Sequence, residues 1–120
     1  MPQRTLYERI GGKPAIEDMF TRLFFKLQNH AKLRHHYQGR YIEGIKQKYI
    51  EYFCKMLGGP EEYTGRDIEE AHQHHKITRQ EYEVWQQVLE QTMKEMEWED
   101  WVIGEVIHLT DIEDQKIINH

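Results

Sequence analysis

Apolar positions recur along this chain at spacings of three and four, the period of a helix with one buried face. Ile16, Met19, Phe20, Leu23, Phe24 and Leu27 trace such a face, predicting a helix from Pro14, a residue suited to a first helical position, to about Asn29. Phe25 adds a second apolar edge, so the expected stripe is broad. A second helix is predicted on Ile42, Ile45, Tyr49, Tyr52, Phe53, Met56 and Leu57, and Gly58-Gly59-Pro60 ends it. A third follows Thr78, an N-cap candidate with Glu81 completing a capping box, and carries Tyr82, Trp85, Leu89, Thr92, Met93 and Met96. Glu97 to Asp100 is an acidic break, after which Val102, Val106, Leu109 and Ile112 mark a last helix. The pattern contains no run of strand alternation and no internal repeat. The expected fold class is all-α, with four main helices and a connector between the second and third that is poor in regular structure.

Composition narrows the setting. The 120 residues predict one domain spanning 1–120. A chain of this size buries roughly two thirds of its unfolded surface. Its hydrophobic fraction is only 38%, so an apolar cofactor would help to fill the interior. The net charge of −5 and the scatter of Lys and Arg argue against a nucleic-acid partner. Cys54 has no second cysteine to pair with and reads as a small buried apolar residue. No apolar run reaches membrane-spanning length, and MPQRTLYERIGG lacks the apolar core of a signal peptide. Cytoplasmic is the resulting expectation.

Eight histidines are a high count for this length. His30, His35 and His36 fall in the turn after the first helix and His120 ends the chain, where solvated roles are expected. His74 and His75 cannot share the face of His72, because adjacent helical residues point about 100° apart. His72 follows Ala71 and lies four residues after Ile68, on a small apolar face that suits a histidine turned inward. Glu69-x-x-His72 and Glu105-x-x-His108 match the spacing with which carboxylate-bridged di-iron bundles hold metal. That site requires two such helices and further glutamates from two others, whereas the first pair stands just beyond the Gly-Gly-Pro break. No Cys-x-x-Cys pair, nucleophile elbow or phosphate loop is present.

In order along the chain, TLYERIGG at Thr5 to Gly12, the Gly-Gly-Pro-x-x-Tyr-x-Gly run from Gly58 to Gly65, and Glu70-Ala71-His72 resemble the landmarks of the truncated haemoglobins. The resemblance covers nearly the whole chain and is strongest to group I. It implies a two-over-two helical sandwich around haem b (iron protoporphyrin IX), with a diatomic gas (O2, NO or CO) as ligand. By the same resemblance His72 is the proximal iron ligand, Tyr37 stacks on the haem, and Phe24 occupies a distal position that is usually tyrosine. Ile45, Lys48 and Tyr49 would form the distal face with Phe53 one turn on. Ile68, Tyr82 and Trp85 would be further wall residues, and Tyr63 and Arg66 donors to the propionates.

Several positions depart from the pattern. Phe24 cannot donate a hydrogen bond, while Tyr49 stands where glutamine is common and offers a donor from the opposite side. Tyr37 and Trp85 look more like group II. The histidine that links haem covalently in some relatives is not matched, its place lying near Gln115. A lysine at the position of Lys48 coordinates iron in some relatives, which makes Lys48 a candidate second metal ligand; its amine must first lose a proton, and burial would favour that. The functional expectation is a haem protein for oxygen storage or transport, nitric oxide detoxification, peroxidase-like turnover or sensing, with a reductase as candidate partner. The alternatives are a non-haem di-iron bundle and a helical interaction domain without cofactor. An absorption spectrum separates the three.

Overall fold

The computed structural model of the chain describes residues 5–60 and 78–117, with residues 111–117 as helix backbone alone. Tyr63, Arg66, Ile68, Glu69, His72, His74 and His75 lie outside the described residues. Those described form helices α1 (Leu6–Ile10), α2 (Gly12–Gln28), α3 (Ile42–Met56), α4 (Arg79–Glu95) and α5 (Asp100–Ile117), with a 3-10 turn at Arg34–His36 and, among them, no strand.

The TLYERIGG run builds a clasp. Thr5 caps α1 by accepting the Glu8 amide at 3.1 Å, and Gly11 ends it at φ +106°, a conformation that glycine adopts without strain. The Tyr7 amide donates to the Leu57 carbonyl at 3.0 Å, fastening α1 to the end of α3. Gly58 follows at φ +94°, and a Cβ there would stand 3.0 Å from Thr5, so both backbone angle and close approach call for glycine. The two glycine landmarks are thus halves of one junction. The structure starts α2 at Gly12, two residues before Pro14, which places the proline in the first turn, where its missing N–H costs nothing.

All six stripe residues expected on α2 are buried. Phe25 is not: it is 71% exposed, so the buried stripe is narrower than the pattern predicts. Helix α3 is rotated from expectation. Its fully buried row is Ile50, Phe53, Cys54 and Leu57, packed with α2, while Ile42, Ile45, Tyr49, Tyr52 and Met56 form a second, half-buried row. A helix with two apolar surfaces has two neighbours, and periodicity alone cannot say which surface is covered more fully.

The capping box on α4 is present in both directions: Thr78 accepts the Glu81 amide at 3.0 Å, and Glu81 accepts the Thr78 amide at 3.0 Å. Tyr82, Val88, Leu89, Thr92 and Met93 face inward, with the buried Thr92 hydroxyl donating to the Val88 carbonyl at 2.7 Å. The acidic break reverses the chain, with Glu97 at φ +61°. Helix α5 then packs back on α4, where the Tyr82 hydroxyl donates to the Thr110 carbonyl at 2.6 Å and Gln86 donates to the Thr110 hydroxyl at 2.8 Å. Helix α2 lies against α3 on one side and α4 on the other, so one hydrophobic core joins two helix pairs. Among the described residues, no helix is long and apolar enough to cross a membrane.

Candidate functional site

Where α2, α3, α4 and the segment after the 3-10 turn converge, the side chains change from aliphatic to aromatic. Phe20 and Phe24 lie on successive turns of α2 with ring centroids 6.2 Å apart. Phe20 meets Phe53 edge-on at 4.8 Å and Tyr49 at 6.1 Å. Phe24 meets Tyr37 edge-on at 5.6 Å and Tyr49 at 5.7 Å. Tyr49 continues to Trp85 at 6.4 Å, and Trp85 stacks on Tyr82 at 5.8 Å. These separations lie in the range where aromatic pairs attract beyond simple burial. Six of the expected wall residues, Phe24, Tyr37, Tyr49, Phe53, Tyr82 and Trp85, therefore form one continuous array.

Polar groups are gathered in that array. The Trp85 indole, whose N–H can only donate, is near enough to the Tyr37 phenol to favour its ionised form. Burial pushes the Tyr37 phenol well above its usual value, and nearby Tyr49 pushes the same way, outweighing the opposing pull of Arg40 and Trp85. Tyr37 is consequently a neutral phenol throughout the physiological range, a proton donor rather than an anionic ligand. Tyr82 differs, because its hydroxyl is committed to the Thr110 carbonyl and its ring is almost wholly buried.

The half-buried row of α3, including Ile45, Tyr49 and Tyr52, and Val84 and Trp85 of α4 supply broad apolar faces beside those donors. Flat apolar surface with a few donors at one spot suits a planar macrocycle carrying a small polar ligand, so the described residues fit a haem. Lys48 stands apart: its side chain is 49% exposed and its ammonium lies 3.7 Å from Glu51 one turn along α3. Glu105 and His108 are exposed on α5, away from the interior where a di-iron bundle would need them.

Sequence reasoning passed over two features. Phe20 joins the Phe24, Tyr49 and Phe53 rings, and its spacing of four from Phe24 was the signal available. His36, expected in solvent, has a side chain only 14% exposed and sits 2.9 Å from Glu81. No local pattern announces a partner so far along the chain.

A family model for bacterial-like globins matches residues 5–117. The group 1 truncated hemoglobin of Tetrahymena thermophila is 25% identical over 103 residues, covering 86% of this chain and 85% of that protein. A group 1 truncated hemoglobin of Mycolicibacterium paratuberculosis is 32% identical over 74 residues, covering 62% of this chain and 54% of its own. In fold, the crystal structure of truncated hemoglobin from Tetrahymena pyriformis in the Fe(III) form gives a TM-score of 0.92 at 21% identity, covering 98% of this chain and 100% of that one. The group II truncated hemoglobin from Bacillus anthracis gives 0.89 at 22% identity, covering 99% and 94%. The glycine clasp, the aromatic wall and the family match over residues 5–117 lead to one conclusion: the chain belongs to the bacterial-like globins, a family that implies haem, and has the fold of the truncated haemoglobins.

Proposed function

We propose that this protein holds haem b without a covalent link, uses His72 as the proximal ligand, and reversibly binds a diatomic gas beneath Phe24, Tyr49 and Trp85. The bound haem supplies the iron to which such a gas attaches. The residues of the chain supply shape, exclusion of water and hydrogen-bond donors. The observation that carries this reading is Tyr49, held between Phe24 at 5.7 Å and Trp85 at 6.4 Å. Phe24 is apolar, so hydrogen bonding to a bound ligand falls to the Tyr49 and Tyr37 phenols and the Trp85 indole, of which Tyr49 packs against both Phe24 and Trp85. Non-covalent attachment is supported by the lack of a Cys-x-x-Cys-His motif and of a histidine near Gln115, where some relatives carry the linking one.

Lys48 in its half-exposed place beside Glu51 fits a surface role better than iron coordination. Reaching the iron would require it to leave that carboxylate and lose its proton. Binding is the primary role, and turnover of nitric oxide would draw electrons from a reductase.

Absorption and ligand kinetics test the proposal. The purified protein should show an intense Soret band that acid extraction removes and that His72→Ala abolishes or shifts. Stopped-flow release of O2 should quicken about tenfold in Tyr49→Phe, the loss of one hydrogen bond worth about 1.4 kcal/mol. Folded protein that never takes up haemin, or takes it up unchanged in His72→Ala, would refute the assignment.

A further inference from the structure

Beside the aromatic wall, where His36 precedes Tyr37 and Glu81 precedes Tyr82, His35, His36 and Glu81 bring three ligating atoms within 4.8 Å of one another. Both Nε2 atoms lie 2.9 Å from the same oxygen, Oε2 of Glu81, and the two imidazole rings are 4.0 Å apart. Consecutive residues in a helical turn ordinarily diverge by about 100°. Here the 3-10 turn Arg34–His36 aims both rings at one carboxylate that comes from the first turn of α4. The other oxygen of Glu81 accepts the Thr78 amide at 3.0 Å, which fixes the orientation of the carboxylate. His36 and Glu81 have side chains 14% and 19% exposed, whereas His35 is 57% exposed and leaves one side open to solvent.

We propose that His35, His36 and Glu81 form a binding site for a divalent transition ion of the zinc class, completed by water on the open side. Two imidazoles and one carboxylate are a ligand set that zinc accepts with a fourth position free. In a tetrahedral site with bonds of about 2.0–2.1 Å, neighbouring donor atoms stand about 3.3 Å apart. Each nitrogen stands 2.9 Å from Oε2, a little inside that separation, and all three donor atoms lie within 4.8 Å of one another, within reach of the ion after side-chain adjustment. Charge is also suitable. Burial acts to raise the Glu81 carboxyl, but hydrogen bonds from Thr78 and His36 outweigh it and hold the group below the usual carboxylate range, hence anionic at neutral pH. An ion here would cross-link the 3-10 turn to α4 in a way the haem assignment neither requires nor explains.

Equilibrium dialysis of the purified protein against zinc chloride, with elemental analysis, tests this directly. Wild type should take up one zinc ion more than the His35→Ala/His36→Ala double variant at low micromolar zinc. Glu81→Gln preserves the capping hydrogen bonds but removes the charge, and should weaken zinc binding at least tenfold. Should the double variant fail to fold, His35→Ala alone decides, because that side chain is mostly exposed and its removal should lower zinc affinity by a similar factor. Zinc should also raise the melting temperature of wild type and not of Glu81→Gln, since a ligand bound to the folded state alone stabilises it. Equal uptake by wild type and the histidine variants, or wild-type affinity in Glu81→Gln, would overturn the site and leave a hydrogen-bonded clamp.

Discussion

Two regions of this molecule are written in the same period and do opposite work. At the junction of α2 with α4 and α5, Leu23, Leu27, Leu89, Met93 and Val106 are sealed from solvent. Toward the 3-10 turn, Tyr37, Tyr49 and Trp85 are only half-buried and bring hydroxyl and indole groups with them. The first region is core, because aliphatic side chains gain most when wholly buried and have no polar group to satisfy. The second is a wall, because an aromatic with a polar tip can pack on one side and donate on the other. Periodicity announces both, and residue chemistry tells them apart.

Substitutions that separate the regions should have graded effects. The largest is expected of Phe20→Ala, since this fully buried ring belongs to the core and to the wall. Denaturant unfolding should show a loss of about 3–5 kcal/mol. Tyr49→Phe, by contrast, should cost little stability while changing ligand release; a large stability loss would mean that the wall is simply more core. Thr78→Ala removes one arm of the capping box and should cost about 1 kcal/mol, leaving the visible spectrum of bound haem unchanged.

Alkaline pH, read against a Tyr37→Phe variant, probes the wall. The Tyr37 phenol is raised in the folded state, so the stability it contributes is complete below the ordinary phenol value near 10 and declines as pH climbs above it. Wild type should therefore lose stability more steeply above about pH 10 than Tyr37→Phe, by at most about 1.4 kcal/mol per pH unit. Equal slopes would place that hydroxyl in solvent. The smallest effect is expected of Lys48→Ala: its ferric spectrum should match wild type across alkaline pH, and loss of a low-spin signature would restore the lysine as an iron ligand.

The features legible in the sequence are the short-range ones. The α2 stripe, the end of α3 at Gly58 and the Thr78–Glu81 box depend on residues three or four apart, whose relation is set once a helix forms. Phe25 stays exposed against expectation, and Ile50, outside the expected row, is sealed, because an apolar residue on a helix flank is buried only if another element arrives to cover it. The wall residues were reached through family resemblance, since no local rule joins Tyr37 to Trp85 or Tyr82 to Thr110.

The chain by itself determined that there would be helices, where they stop, and that they would carry an excess of aromatic and histidine side chains. Tertiary packing decided which apolar row of α3 is sealed, which phenol burial raises, and that His36, expected in solvent, meets with His35 a glutamate 45 positions further along. The reason is the reach of the forces involved. Helical spacing and capping act within a turn, whereas burial and side-chain pairing depend on which surfaces come together after the helices have formed.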